Sequence, residues 1–186
     1  MFLVAVVCWF AANAVPLARS DVAVPSLDGG MVSPLGSTAD ITVLMFVTTD
    51  CPIANRYAPE IRRIYEEFSE GVTFWLVYIS DDKGQVGELT DHHDSFGFPM
   101  QGVRDLNNAL VQVTGVTVTP EVAVYDTNQK LRYRGRIDDR YVAFGVTRST
   151  ASTHDLRDVL SRLVAGEQVS YSAPRAGGCY IPSVGD

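Results

Sequence analysis

The stretch Ile41–Phe68, ITVLMFVTTDCPIANRYAPEIRRIYEEF, decides the fold, because an apolar run passes through one cysteine into an amphipathic pattern. Its beginning, Ile41–Val47, is apolar and β-branched, which is typical of a strand buried on both faces. In Pro52–Phe68 the apolar residues recur at intervals of three and four, which predicts an amphipathic helix. The sequence therefore places Cys51 between a buried strand and the start of a helix.

The position of Cys51 favours a reactive thiol. Proline is favoured at the first helical position, so Pro52 there makes Cys51 the predicted N-cap. The free N–H groups and the positive end of the helix dipole stabilise a thiolate at that point, whereas the neighbouring Asp50 disfavours one. We therefore predict that Cys51 is nucleophilic; the alternative is a buried, inert cysteine.

The rest of the chain alternates between strand and helix patterns. Residues 15–40 are rich in turn-forming residues around one or two short strands, and Thr127–Lys130 is the predicted turn of a hairpin. The order predicts an α/β fold with a mixed central sheet flanked by helices. The further predicted strands are Val72–Ser80, Glu121–Asp126 and Leu131–Ile137, and the further predicted helices are Gln85–Phe96, Leu106–Val113 and Thr153–Val164.

Length and composition limit the classes of protein. The chain has 186 residues, of which 46% are hydrophobic and 20% charged, so we expect one globular domain over residues 15–186, with residues 166–186 as an irregular C-terminal tail. The net charge is −7, and the Lys and Arg residues do not cluster. A nucleic-acid partner is therefore not expected.

The N-terminus has the pattern of an export signal. Phe2–Ala12 is an apolar run too short to span a bilayer, and Ala12-Asn13-Ala14 forms an A-x-A cleavage site. We predict a signal peptide at residues 1–14, an exported protein (periplasmic or secreted), and no stable membrane insertion after cleavage. The alternative is a buried N-terminal strand.

Signal cleavage would remove Cys8 and leave Cys51 and Cys179. Such a pair in an oxidising compartment suits a protein that forms disulfides. Gly177 and Gly178 give the tail the freedom to bring Cys179 to a distant site, where it would resolve an oxidised Cys51. A permanent structural bridge and an unpaired thiol are the alternatives.

Pro120 is a second marker, since a proline directly before a strand must occupy its first residue or a turn. On its own it predicts a trans peptide bond. Three segments together, MFVTTDCPIANRYAPEI, GVTVTPEVAVYD and YRGRIDDRY, resemble the thioredoxin-like redoxins. Within these they resemble the peroxiredoxin-like branch of the alkyl hydroperoxide reductase and thiol-specific antioxidant family.

The resemblance implies a thioredoxin fold, a cis Pro120 beside Cys51 and thiol chemistry without a cofactor. The implied partners are a disulfide or peroxide substrate and an external thiol reductant. Ala54 stands where thioredoxins carry their second cysteine. Thr48 matches the peroxiredoxin motif three residues before the cysteine, but Leu44 replaces the proline of that motif. The thioredoxin-like position of Cys51 after the strand and the absence of this proline favour disulfides over peroxide as substrates.

Other residues leave alternatives open. The arginine that orients peroxide in a peroxidase has three candidates here: Arg56, Arg134 and Arg136. His92 and His93 suggest a copper-handling protein, although adjacent histidines point in different directions on a helix, so no metal site is predicted. Asp138 and Asp139 line either the rim of the site or a solvated, salt-bridged loop. Three classes of function are therefore open: a thiol oxidoreductase, a copper-handling protein and a catalytically idle binding module.

Overall fold

The computed structural model describes residues 22–36, 41–80, 86–143 and 145–182. The predicted signal peptide at residues 1–14, including Cys8, lies outside these ranges, as does Gln85, the predicted start of a helix. Within the described ranges, no helix has the length and apolar character that crossing a membrane requires.

Short strands and four helices follow one another along the described chain. The helices are α1 (Pro52–Phe68), α2 (Val86–Ser95), α3 (Ala109–Thr114) and α4 (Asp155–Val164). The strands are β1 (Val24–Pro25), β2 (Met31–Val32), β3 (Ile41–Val47), β4 (Val72–Ile79), β5 (Gln101–Asp105), β6 (Val118–Thr119), β7 (Glu121–Tyr125), β8 (Leu131–Gly135), β9 (Tyr141–Ala143), β10 (Val146–Thr147) and β11 (Cys179–Tyr180).

A five-stranded sheet forms the centre, in the order β5-β4-β3-β7-β8. Strand β3 pairs in parallel with β4 and antiparallel with β7. Strands β4 and β5 are parallel, whereas β7 and β8 are antiparallel. The predicted mixed sheet is confirmed, and β3 at its centre is buried over its whole length.

The two faces of the sheet bury different sets of residues, because successive side chains of a strand point to opposite sides. Val43, Met45 and Val47 of β3 pack in one apolar cluster with residues of α1 and α4. Leu44 and Phe46 pack in another with Leu110 of α3 and Val24 of β1. Helices therefore cover both faces, as predicted, and the end of β3 leads directly into Cys51.

The sequence prediction missed β5, because Gln101–Asp105 contains a single large apolar residue, Val103. The buried Asp105 is accommodated because its carboxylate accepts hydrogen bonds at 2.9 Å from the backbone N–H groups of Leu110 and Val111 at the start of α3. The predicted helix over Leu106–Val113 is in fact a single 3₁₀ turn at Leu106–Asn108 followed by α3. The backbone of Asn107 is left-handed, with φ 59°, which interrupts the helix.

Two details of the C-terminal half differ from the expectation. The last helix begins at Asp155 instead of Thr153, since the Thr153 hydroxyl bonds the Asp155 carboxylate ahead of the first turn. The tail expected to be irregular contributes β11, which pairs antiparallel with β6. Residue pattern alone could not show this strand, because it is two residues long.

Candidate redox site

The N-cap position predicted for Cys51 is confirmed. Its backbone is extended, with φ −79° and ψ 108°, and Pro52 opens α1. The Cys51 N–H donates to the Thr48 carbonyl at 3.3 Å, and its carbonyl accepts the first helical hydrogen bond from Asn55 at 3.0 Å. The side chain of Cys51 makes no capping bond, so its sulfur is free for other contacts at the positive end of the helix.

Thr119, the residue before Pro120, lies against Cys51. The Cys51 thiol donates to the carbonyl oxygen of Thr119 at 3.1 Å. The peptide bond between Thr119 and Pro120 is cis, and both residues are buried. The hydroxyl oxygen of Thr48 lies 3.4 Å from that of Thr119. The structure thus brings together three residues selected from the sequence, Thr48, Cys51 and Pro120, although Pro120 lies 69 positions after Cys51.

Cys179 completes the arrangement. Its sulfur lies 2.8 Å from the Cys51 sulfur, across 128 positions of sequence, and both thiols are free. The distance is longer than the roughly 2.05 Å of a disulfide bond. The pairing of β11 with β6 places Cys179 opposite Thr119, so backbone hydrogen bonding presents the second sulfur to the first.

Two further contacts hold the tail in this register. The Ile181 N–H donates to the Thr117 carbonyl at 3.1 Å, and the Asn108 amide donates to the Pro182 carbonyl at 2.8 Å. Gly178 also has a steric role in the docked tail. A Cβ atom there would collide with the carbonyl oxygen of Thr119, so the tail can approach this closely only with glycine.

The surroundings of the two thiols differ in exposure and charge. Cys51 is 1% exposed, beneath the partly exposed Cys179. Burial raises the pKa of the Cys179 thiol to about 12, and its hydrogen bond with Cys51 and the charges of Cys51 and Asp50 act in the same direction. While the tail is docked, Cys179 therefore keeps its proton at neutral pH and is poorly suited to make the first attack on a disulfide.

The two histidines are engaged in a hydrogen-bonded cluster. His92 Nε2 lies 2.9 Å from Asn55 Oδ1, and His92 Nδ1 lies 3.1 Å from the hydroxyl of Tyr78. His93 Nδ1 lies 3.4 Å from the same hydroxyl. Burial lowers the pKa of both imidazoles, and His93 lowers that of His92 further. Both nitrogens of His92 and Nδ1 of His93 therefore already have hydrogen-bond partners within the protein.

One group among the described residues has the spacing of metal ligands. The ligand atoms of Glu60, Asp138 and His154 lie within 4.8 Å of one another. Glu60 already pairs with the arginines at positions 63 and 157, at 3.0 Å each, and Asp138 lies 3.7 Å from the Arg140 guanidinium. Because these cations neutralise the carboxylates, we interpret the group as an ion-pair network that joins α1, α4 and the 136–141 loop.

The pair Asp138 and Asp139 is buried, at 1% and 5% exposed, so the expected solvation was wrong. The expected salt bridges are present, from Arg140 to Asp138 and from Arg148 to Asp139. Asp138 accepts a hydrogen bond from the hydroxyl of Tyr57 in α1. Asp139 accepts from the backbone N–H groups of Ser152 and Thr153. Sequence reasoning missed Tyr57 and Asn55 as site residues, although both stand on α1, the helix that follows Cys51.

The three candidate arginines lie in different surroundings. Arg56 is exposed on α1. Arg134 donates to the Thr114 carbonyl at 3.4 Å. Arg136 pairs with Asp155 at 2.8 Å. The hydrogen bonds of Arg134 and Arg136 are therefore directed at α3 and α4.

The sequence and the fold both match known proteins. A family model described as thioredoxin-like matches residues 39–131, half of the chain, and the chain belongs to this thioredoxin-like family. The predicted thioredoxin-like fold is confirmed. No curated protein matches the chain.

Solved structures of the same fold include a protein of Sinorhizobium meliloti, 16% identical, with a TM-score of 0.75 over 89% of this chain and 92% of that one. A conserved protein of Geobacillus kaustophilus is 22% identical, with a TM-score of 0.74 over 88% and 89%. A secreted Mycobacterium tuberculosis disulfide oxidoreductase homologous to E. coli DsbE is 20% identical, with a TM-score of 0.57 over 80% and 97%. At these identities the likeness shows the fold.

Proposed function

We propose that this protein is a thiol–disulfide oxidoreductase in which Cys51 is the nucleophile and Cys179 the resolving thiol. The observation that carries the proposal is the 2.8 Å distance between the two free sulfurs, one of which belongs to the N-cap residue of α1. Membership in the thioredoxin-like family supports it, as does a neighbour of this fold described as a secreted disulfide oxidoreductase.

The reaction takes place in two exchanges. The Cys51 thiolate attacks one sulfur of a substrate disulfide, which gives a mixed disulfide and releases the other substrate sulfur as a thiolate. Cys179 then loses its proton and attacks the Cys51 sulfur. A Cys51–Cys179 disulfide forms, and the second substrate sulfur leaves as a thiolate. The substrate gains two electrons, and an external dithiol must reduce the protein again.

Disulfide is the substrate that we propose in preference to peroxide. The proline of the peroxiredoxin motif is absent, and Leu44, which stands in its place, is fully buried in the core. The peroxiredoxin-like branch remains the second assignment. The ranking is tested by the second-order rates of the reduced protein with hydrogen peroxide and with a small disulfide, and a faster reaction with peroxide would reverse it.

We also propose that the protein is exported, on the strength of the apolar run Phe2–Ala12 and the A-x-A site that follows it. Export would place the cysteine pair in a compartment where disulfides persist. N-terminal sequencing of the protein recovered from an exporting host, which would begin at Val15, tests this point. A protein that retains Met1 in the cytoplasm would contradict it.

Peptide mapping tests the roles of the two cysteines. Wild-type protein treated with one equivalent of a small disulfide should yield a Cys51–Cys179 disulfide. Cys179→Ser should stop at a mixed disulfide on Cys51, and Cys51→Ser should react much more slowly at either position. A mixed disulfide that accumulates on Cys179 in the wild type would assign the roles the other way round.

A further inference from the structure

The turn before Cys51 is tied to helix α2 by side chains that thiol chemistry itself does not require. Asn55, one turn into α1, donates from its amide nitrogen to the Thr49 carbonyl at 2.9 Å. Its amide oxygen lies 2.9 Å from His92 Nε2 of α2. The Thr49 hydroxyl also lies 3.4 Å from the Glu88 carboxylate of the same helix. Asn55 and Glu88 therefore both hold Thr49, which lies two positions before Cys51.

The direction of each hydrogen bond follows from chemistry. The Thr49 carbonyl only accepts, so the Asn55 NH₂ group must face it, and the Asn55 oxygen must face His92. His92 then carries its proton on Nε2, which leaves Nδ1 as an acceptor for the Tyr78 hydroxyl at 3.1 Å. The resulting chain, from Tyr78 through His92 and Asn55 to Thr49, has a single consistent order of donors and acceptors.

The setting keeps this order intact near neutral pH. Tyr78 is completely buried at the end of β4 and is paired in register with Val47 of β3. Burial raises the pKa of Tyr78, so its hydroxyl remains a donor. Burial also lowers the pKa of His92, and the His93 charge adds to this while Glu88 opposes it. Phe96 packs on the His92 ring at a centroid distance of 4.6 Å, which fixes the imidazole in position.

We propose that Asn55 and His92 are positioning residues, which hold the Thr49 carbonyl and thereby the turn that presents the Cys51 sulfur to an incoming disulfide. The Cys51 N–H bonds back to the Thr48 carbonyl, so a shift of the Thr48–Thr49 backbone is passed directly to Cys51. Small displacements of a reacting group slow bond formation strongly. This inference rests on the proposed role of Cys51 as the nucleophile.

The test measures the second-order rate constant of the reduced full chain with a small aromatic disulfide, with peptide mapping to locate the adduct on Cys51. Asn55→Ala and His92→Phe should each slow the reaction about tenfold. His92→Gln retains an amide N–H that can donate to Asn55, and should recover most of the rate. His93→Phe is the matched control, because His93 contacts Tyr78 and not Asn55, and it should react like the wild type.

Denaturant unfolding of the same variants separates positioning from stability. The proposal requires His92→Gln to react faster than His92→Phe even where their free energies of unfolding agree. It is overturned if Asn55→Ala keeps the wild-type rate, or if His93→Phe slows the reaction as much as His92→Phe does. A wild-type chain that reacts no faster than Cys51→Ser would instead refute the proposed function.

Discussion

Gly178 lies so close to Thr119 that a Cβ atom at position 178 would collide with the Thr119 carbonyl oxygen. The same oxygen accepts the hydrogen bond of the Cys51 thiol. One backbone carbonyl therefore determines both how the Cys51 thiol is held and which residue the tail carries beside Cys179.

Gly178→Ala should loosen the docked tail. Overpacking costs about 1–3 kcal/mol, which makes undocking about 5-fold to 140-fold more frequent. Because Cys179 covers Cys51, alkylation of Cys51 should become faster, while formation of the Cys51–Cys179 disulfide should become slower. Timed alkylation with peptide mapping measures both effects. Gly71→Ala is the control, since a Cβ there meets only ordinary contacts with Val164, at 3.9 Å and beyond; equal effects at the two positions would contradict the prediction.

The reactivity of Cys179 should respond to the removal of Cys51. Its pKa is raised to about 12 by burial and then by the hydrogen bond and charge of Cys51. In Cys51→Ala the last two causes are gone, so the midpoint of Cys179 alkylation against pH should move down from about 12. The alkylation rate between pH 7 and pH 11 measures the shift. An unchanged midpoint would mean that burial and the Asp50 charge set it without Cys51.

Tyr57→Phe should destabilise the fold. The Tyr57 hydroxyl donates to Asp138, which is 1% exposed. The same carboxylate oxygen keeps the Arg140 backbone N–H as a donor at 2.8 Å, so the expected loss is that of one hydrogen bond, about 0.5–1.5 kcal/mol. The free energy of unfolding in urea measures the loss. Tyr180→Phe removes a hydroxyl from a side chain that is 88% exposed, and it should leave stability unchanged. A Tyr57→Phe variant as stable as Tyr180→Phe would show that the contact contributes little.

Acid should weaken the contact between α1 and α4 through Glu60. Burial opposes ionisation of Glu60, but hydrogen bonds from Arg157 and Arg63 lower its pKa from the usual 4.5. Because the pKa of Glu60 is lower in the folded chain, its carboxylate stabilises the fold above pH 4.5. This stability is lost as the pH falls through the pKa of the folded state. The free energy of unfolding should therefore fall more steeply between pH 6 and pH 3 in the wild type than in Glu60→Gln. If it falls equally steeply in both proteins, Glu60 is not the source of the pH dependence.

The sequence predicted the parts of the fold that have strong local patterns. The bounds of β3 and α1 agree with the prediction, because an apolar strand and a proline-started amphipathic helix are encoded within their own residues. Strand β5 lacks such a pattern, since two of its five residues, Arg104 and Asp105, are charged although both are buried. The backbone N–H groups of Leu110 and Val111 that hold the Asp105 carboxylate leave no signal in the residue pattern.

The same distinction holds for the site. Cys51 could be selected from its local context, and Pro120 from its resemblance to a known motif. The approach of Cys179 could only be suggested, because pairing between two-residue strands 61 positions apart leaves no periodic signal. Asn55 and His92 have no local signal that links them; a histidine at a half-buried helix position was the only hint.

The separation between the two cysteines couples folding to electron transfer. A disulfide between Cys51 and Cys179 would close a loop across 128 positions, and a loop of that size restricts the unfolded chain enough to stabilise the fold by about 4 to 5 kcal/mol. Folding and disulfide formation are linked in one thermodynamic cycle. Folding therefore stabilises the disulfide relative to the dithiol by the same free energy. Folding itself would thus make this protein a stronger reductant.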